Sequence, residues 1–207
     1  GTGVVCMHAN ASNSGQWRGL MDALAPRFRV FAPDSYDAGK SPHWPSDRVI
    51  RLRDEVTLIE PVLERAGSPL ALVGHSYGAA VALIAALADP GRVRAMALYE
   101  PTLFALVDSA TPPPNDVEGI REAVAEAGVA LVTGSPEAAA ERFIDYWSGT
   151  GTWARTPEQR RPPIRIVGQK ANHNHLWPSR GRELPLANTE PQSGAAAGDI
   201  RANEKCG

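Results

Sequence analysis

Apolar residues fall along this chain in two alternating rhythms. Short unbroken runs, GVVCM at 3–7, RVFAP at 29–33, LALVG at 70–74 and RAMALYE at 94–100, are bounded by glycine, proline or polar residues and predict strands. Between them the spacing changes. Trp17, Leu20, Met21 and Leu24 share one helical face within 14–26, and Val49, Leu52, Val56, Ile59 and Leu63 recur at helical spacing before Gly67, which is placed to end that helix. The stretch YGAAVALIAALAD at 77–89 is apolar nearly all round, which predicts a helix buried on every side. Strands and helices in alternation imply an α/β fold with a parallel sheet covered on both faces.

Beyond Pro101 the rhythm shifts. ATPPPND at 110–116 breaks the chain, and two amphipathic helices are expected after it, one carrying Val117, Ile120 and Val124, the other Ala140, Phe143, Tyr146 and Trp147. With no strand between them, they read as a helical lid lying over the sheet. From about Lys170 large apolar residues become sparse and no period is sustained, so disorder is expected there. The division that follows is a core at 1–110, a lid insertion at 111–163 and an atypical C-terminal segment at 164–207.

Composition narrows the function classes. The 207 residues, 43% of them hydrophobic, are enough for one domain with a sizeable core. A net charge of −2 offers no electrostatic case for nucleic acid or an anionic membrane. No apolar run approaches the roughly 20 residues of a spanning helix. Cys6 and Cys206 lie at opposite ends in unlike contexts, with neither metal spacing nor a disulfide framework, so a reduced cytoplasmic protein is expected. No cofactor is expected, and no metal, since the sequence offers no ligand cluster; the opening GTG precedes its strand and is therefore no nucleotide-binding loop.

The chemistry is concentrated in Gly74, His75, Ser76, Tyr77 and Gly78, a G-x-S-x-G pattern between a predicted strand and a predicted helix. A sharp strand-to-helix turn packs backbone tightly, and glycines flank the serine where a Cβ would collide. The hydroxyl then stands at the carboxyl edge of the sheet and at a helix amino terminus, where negative charge is favoured. A serine in that position is built to attack a carbonyl. The competing reading, a serine that merely shapes a turn or caps a helix, would lead on five bare residues, and the strand, helix and apolar flanks around them shift the weight to the nucleophile.

With these motifs, residues 1–163 resemble the α/β-hydrolase superfamily, specifically small bacterial hydrolases with H-x-x-x-S-x-x-x-W after the first strand, LVGHSYG at the nucleophile and LYEP after the following strand. The resemblance implies an α/β-hydrolase fold, a mostly parallel sheet with helices on both faces and a helical lid. It implies that HANAS supplies an oxyanion donor, the N–H of Ala9 or Asn10, opposite the N–H of Tyr77. PDSYDAGKS resembles the family's D-x-x-G-x-G-x-S loop with Asp37 in place of the first glycine, a change expected to shape the loop. Glu100, at the end of its strand, is the expected acid of the triad, with Asp34 the runner-up. His8, Phe104, Phe143 and Trp147 are expected to line an apolar substrate pocket, with Leu103 and Tyr146 beside them.

The general base is the weak link. The family places it late in the chain in a G-x-G-H context that does not occur here. Among His8, His43, His75, His173 and His175, the order Ser, acid, His selects His173 or His175, and His175 is assigned the role. PIRIVG at 163–168 accounts for one further strand where the family needs two, so truncation after the lid is expected; the opening without methionine also points to a piece. The function expected is a serine hydrolase cleaving a carboxylic ester or related small-molecule acyl substrate through an acyl-enzyme. The alternative is a non-catalytic binding protein, or an inactive fragment without its histidine.

Overall fold

The computed structural model describes residues 1–45, 50–161 and 203–205. Four parallel strands, β1 (Gly3–Met7), β2 (Arg29–Ala32), β3 (Leu70–His75) and β4 (Val93–Tyr99), are joined by β5 (Asn203–Lys205), which pairs antiparallel with β2. Their order across the sheet is β4-β3-β1-β2-β5. β1 lies at the centre and is buried at all five positions, which is why its sequence is an unbroken apolar run and not an alternating one. Val5 is in register with Phe31 on one side and Leu72 on the other.

Period-two alternation divides β1 between two cores. Val5 and Met7 join Phe31, Leu70 and Leu72 beneath α2 (Leu52–Ala66) and α3 (Tyr77–Ala88), whose Leu58, Ile59, Val62, Leu63, Val81 and Ala82 complete that cluster. Val4 and Cys6 face the other way, against Val30, Ala32 and Met21 of α1 (Arg18–Leu24), with Trp17, Leu20 and Leu24 packed around them. Both faces are therefore covered at β1 and β2, as the alternation of elements predicts, whereas β4 is exposed on both faces from Arg94 to Ala97. Burial pushes the Cys6 thiol up to about 12, leaving it a small core hydrophobe.

Several expectations are refined. The segment 14–26 is a 3₁₀ turn (Ser14–Trp17) leading into α1 rather than one helix. α2 starts at Leu52 and ends at Gly67, whose φ of 89° needs glycine, while Val49 lies outside the described residues. α3 is buried on the side that meets β3 and α2, but Leu87 is 53% exposed. β4 has a described neighbour on one side only, and Met96 and Tyr99 are exposed. Within the C-terminal segment expected to lack order, Asn203–Lys205 is a strand: a ladder satisfies the backbone without asking for apolar side chains. PIRIVG, His173, His175 and Cys206 lie outside the described residues.

The expected helix pair is α5 (Glu118–Val132) and α6 (Pro136–Ser148), flanked by two short helices the pattern does not reveal, α4 (Phe104–Ala110) and α7 (Thr152–Arg155). Ala127, Ala139, Ala140, Phe143 and Trp153 form a core of their own, against which Ala11 from the loop after β1 packs. α7 is secured by Asp145, which accepts the Trp153 N–H at 2.8 Å and the Gly151 N–H at 2.6 Å. Those bonds, the one from Trp153 foremost, hold the Asp145 carboxyl below its usual range.

Candidate functional site

Ser76 occupies a one-residue turn between β3 and α3 with φ 53° and ψ −116°, a backbone conformation costly for any residue with a Cβ. The turn is fixed from both sides. Ser76 N–H donates to the Tyr99 carbonyl at 2.8 Å, and the Ser76 carbonyl accepts from Ala79 and Ala80 at 3.0 and 3.2 Å. The flanking glycines are required sterically. A Cβ on Gly74 would stand 2.5 Å from Ala79 Cα, and one on Gly78 would stand 2.2 Å from the Met7 carbonyl oxygen. The serine is half-buried, and Tyr77 directly after it is the first residue of α3.

Strain of this kind is not confined to Ser76. Among the described residues four non-glycine residues adopt left-handed φ: Ala11 at 55°, Asp37 at 62°, Ser76 at 53° and Glu100 at 49°. Each lies just past the carboxyl end of a different parallel strand, β1, β2, β3 and β4 in turn. The carboxyl edge of a parallel sheet is where ligands of α/β proteins bind, and strained backbone persists where the surroundings over-determine it.

The loop after β1 distinguishes the two candidate oxyanion donors. Ala9 N–H donates to Gln16 Oε1 at 3.0 Å, which leaves Asn10 as the candidate; the Asn10 side chain accepts the Ala11 N–H at 2.9 Å. His8 departs from the pocket-lining part expected of it. It is 1% exposed, Ser35 N–H donates to its Nε2 at 3.0 Å, and its Nδ1 lies 2.7 Å from the Ala9 carbonyl oxygen. Because Nε2 accepts, the proton is on Nδ1, and the ring ties the β1 loop to the β2 loop.

The two carboxylates weighed as the acid stand in different surroundings. Asp34 is buried and accepts from the Ser14 N–H at 2.6 Å and the Lys40 N–H at 3.0 Å. Gly39 is pressed so close that a Cβ there would stand 2.0 Å from Asp34 Oδ2. Both oxygens are thus committed to folding the loop. Glu100 is exposed on the rim, its Oε2 3.7 Å from His75 Nε2. Asp37 shapes the loop as expected, accepting from the Trp44 N–H at 3.3 Å and meeting His43 Nδ1 at 2.7 Å.

His8, His43 and His75 are all engaged with neighbours, and the two late candidates for the general base, His173 and the assigned His175, lie outside the described residues. Of the expected pocket aromatics, Phe104 and Trp147 are stacked, with centroids 6.4 Å apart and planes at 19°. Phe143 is instead buried inside the α5–α6 core, its ring inclined at 63° to that of Trp147, because its position faces α5. A cleft beside α6, lined by Glu141, Arg142, Asp145, Tyr146 and Thr150, includes none of the residues around Ser76.

Two contributors escaped sequence reasoning. Gln16 bridges the β1 loop and the turn at Ser76. Glu55, 1% exposed, accepts the Tyr77 hydroxyl and the Tyr36 N–H. Glu55 did leave a signal, a charge on the buried stripe of α2 with Leu58, Ile59 and Val62. Among the described residues no cluster of His, Cys, Asp and Glu could hold a metal ion, and no helix is long and apolar enough to cross a membrane.

Comparison with known proteins agrees with the fold. The family model described as alpha/beta hydrolase fold matches residues 3–172. Lipase LipV of Mycobacterium tuberculosis is 33% identical over 101 residues, 48% of this chain and 37% of that protein. The pimeloyl-[acyl-carrier protein] methyl ester esterase of Nitrosomonas europaea is 31% identical over 102 residues, 49% of this chain and 38% of that protein. In fold, the chain is similar to an alpha/beta hydrolase from Sphaerobacter thermophilus, with a TM-score of 0.60 at 21% identity, covering 84% of this chain and 65% of that one. The matched region thus spans well under half the length of the two curated relatives.

Proposed function

The chain belongs to the alpha/beta hydrolase fold family, and from that premise we propose that it is a serine hydrolase cleaving a carboxylic ester or related small-molecule acyl substrate. Ser76 Oγ attacks the carbonyl carbon while a histidine takes its proton, and the carbonyl oxygen gathers negative charge toward the N–H groups of Tyr77 and Asn10. Collapse expels the alcohol, which recovers the proton from the histidine and leaves Ser76 acylated. Water, activated by the same histidine, then releases the carboxylic acid and restores the serine. We assign the base to His175 and its orienting acid to Glu100. The α4–α6 segment serves as a lid, with Phe104 and Trp147 against the acyl group.

The observation that carries this reading is the backbone of Ser76 itself. A φ of 53° on a non-glycine residue, held by the Tyr99 carbonyl and by glycines that admit no Cβ, is a cost that a mere helix cap does not require. The names of the two curated relatives, a lipase and a methyl ester esterase, support ester cleavage as the reaction class.

The test is labelling by a fluorophosphonate probe, with the modified residue identified by peptide mass spectrometry. Ser76 should be the dominant adduct, and Ser76→Ala should abolish it. Labelling elsewhere that survives this substitution would exclude the hydrolase reading and favour a binding protein on the same scaffold.

A further inference from the structure

Around the Ser76 turn runs a line of polar contacts whose directions can be fixed by donor and acceptor logic. It begins at the Ala9 N–H, 3.0 Å from the Gln16 side chain. An amide N–H can only donate, so the facing atom is the Gln16 carbonyl oxygen, and the NH₂ end of that side chain points the other way. That end lies 3.0 Å from His75 Nδ1. An NH₂ group only donates, so Nδ1 must accept, and the proton of the neutral imidazole is on Nε2. Nε2 stands 3.7 Å from Glu100 Oε2, while the ring rests against Tyr99 at a centroid separation of 5.1 Å.

We propose that Gln16 is a positioning residue: it clamps the loop after β1 to the Ser76 turn and locks His75 as the Nε2–H tautomer, so that an N–H faces the Glu100 carboxylate. The clamp acts at both ends. At the loop it commits the Ala9 amide and leaves oxyanion binding to Asn10. At the rim it turns an N–H toward the carboxylate of Glu100, which is 66% exposed in its side chain and stands 3.7 Å away, an electrostatic contact longer than a hydrogen bond. It also removes His75 from contention as a base, since its lone pair is committed to Gln16. Gln16 is 59 residues from His75 in sequence, so the clamp exists only in the folded chain.

Its consequence for rate rests on the serine-hydrolase reading, whereas its tautomer does not, and the experiment separates the two. The full chain is labelled with ¹⁵N, and long-range ¹H–¹⁵N spectra of its five histidines are recorded, with His75 assigned by its loss in His75→Gln. Wild-type His75 should show a protonated Nε2 and an unprotonated Nδ1. Gln16→Ala should give a mixture of tautomers, and Gln16→Glu, whose carboxylate can only accept, should move the proton to Nδ1. In parallel, fluorophosphonate labelling of Ser76 should slow about tenfold or more in Gln16→Ala. Gln16→Glu, which keeps an acceptor for Ala9 but turns the N–H away from Glu100, should recover only part of it. A wild-type Nδ1–H tautomer, or a tautomer unmoved by both substitutions, overturns the role of Gln16 while leaving the hydrolase reading in place. Absence of Ser76 labelling in the wild-type chain overturns the hydrolase reading and with it the rate effect of the clamp, whatever the tautomer.

Discussion

The hydroxyl of Tyr77, the residue directly after Ser76, donates a 3.1 Å hydrogen bond to Glu55 Oε1 in the interior of the sheet-helix core. The second oxygen of Glu55 accepts the Tyr36 N–H at 3.0 Å, so one buried carboxyl anchors both the start of α3 and the loop after β2. Burial, and after it the charge of Glu55, hold the Tyr77 phenol well above its ordinary value of 10.0. The backbone of the Ser76 turn is therefore braced from below by a polar contact inside an otherwise apolar cluster.

Removing that brace has a calculable direction. Glu55→Ala strands a buried hydroxyl and a buried N–H and should cost about 2–4 kcal/mol, while Tyr77→Phe should cost about 1–2 kcal/mol. The pH dependence follows from the raised phenol. The unfolded chain loses this proton near pH 10 and the folded chain keeps it, so the contribution is complete below pH 10 and declines as pH rises above it. Urea denaturation of wild type and Tyr77→Phe between pH 8 and 11 should show the steeper alkaline decline in the wild type.

Gly78 tests the closeness of the turn to β1. A Cβ would stand 2.2 Å from the Met7 carbonyl oxygen and 2.5 Å from that of His8, both backbone atoms with little room to yield. Gly78→Ala should destabilise by about 3 kcal/mol or more and displace Ser76. Gly19→Ala meets nothing within 4 Å and is the control in the same denaturation series. Equal stability of the two variants would contradict the packing described for the turn.

The strands and the strand-turn-helix at Ser76 were legible because local pattern decides them: β1 is central and reads as continuous apolar sequence, and Gly74 and Gly78 are demanded by contacts that any such turn makes. The divided cores were implicit in the alternation of Val4, Val5, Cys6 and Met7. What stayed hidden depends on residues far apart in sequence. Nothing local marks Gln16 as the partner of His75, or distinguishes Asp34, spent on two backbone amides, from Glu100 on the open rim. The place of His8 is hidden in the sequence for the same reason, since its partner Ser35 belongs to a different loop. The short helices α4 and α7 carry too few residues to establish a period.

The two acids should separate by kind of damage. Glu100→Gln keeps size and sits on an exposed side chain; if Glu100 is the acid of the proposed triad, the change removes the charge supporting an imidazolium, and ester turnover should fall by about 10³-fold or more with the melting temperature unchanged. Asp34→Asn replaces an oxygen that accepts a backbone N–H with an NH₂ that cannot, and should cost about 1–3 kcal/mol of stability. Thermal melts and p-nitrophenyl ester assays on both variants decide the matter. A larger loss of turnover in Asp34→Asn at unchanged stability would transfer the acid role to Asp34.

The base is the last member to assign, and elimination among the described histidines sharpens the choice. His8 spends Nε2 on the Ser35 N–H, His75 spends Nδ1 on Gln16, and His43 is paired with Asp37 in the loop after β2. A serine without a base is a weak nucleophile near neutral pH, and oxyanion donors alone sustain catalysis of only about 10³-fold over water. On the assignment to His175, His175→Ala should bring p-nitrophenyl ester turnover down to that residual level, while His173→Ala should leave it within about twofold. Fluorophosphonate labelling of Ser76 should slow in parallel with the first variant and not the second. If the wild-type chain already works at the residual level and neither substitution changes it, the base is not His175, and the alternative of a nucleophile lacking its histidine is the one that holds.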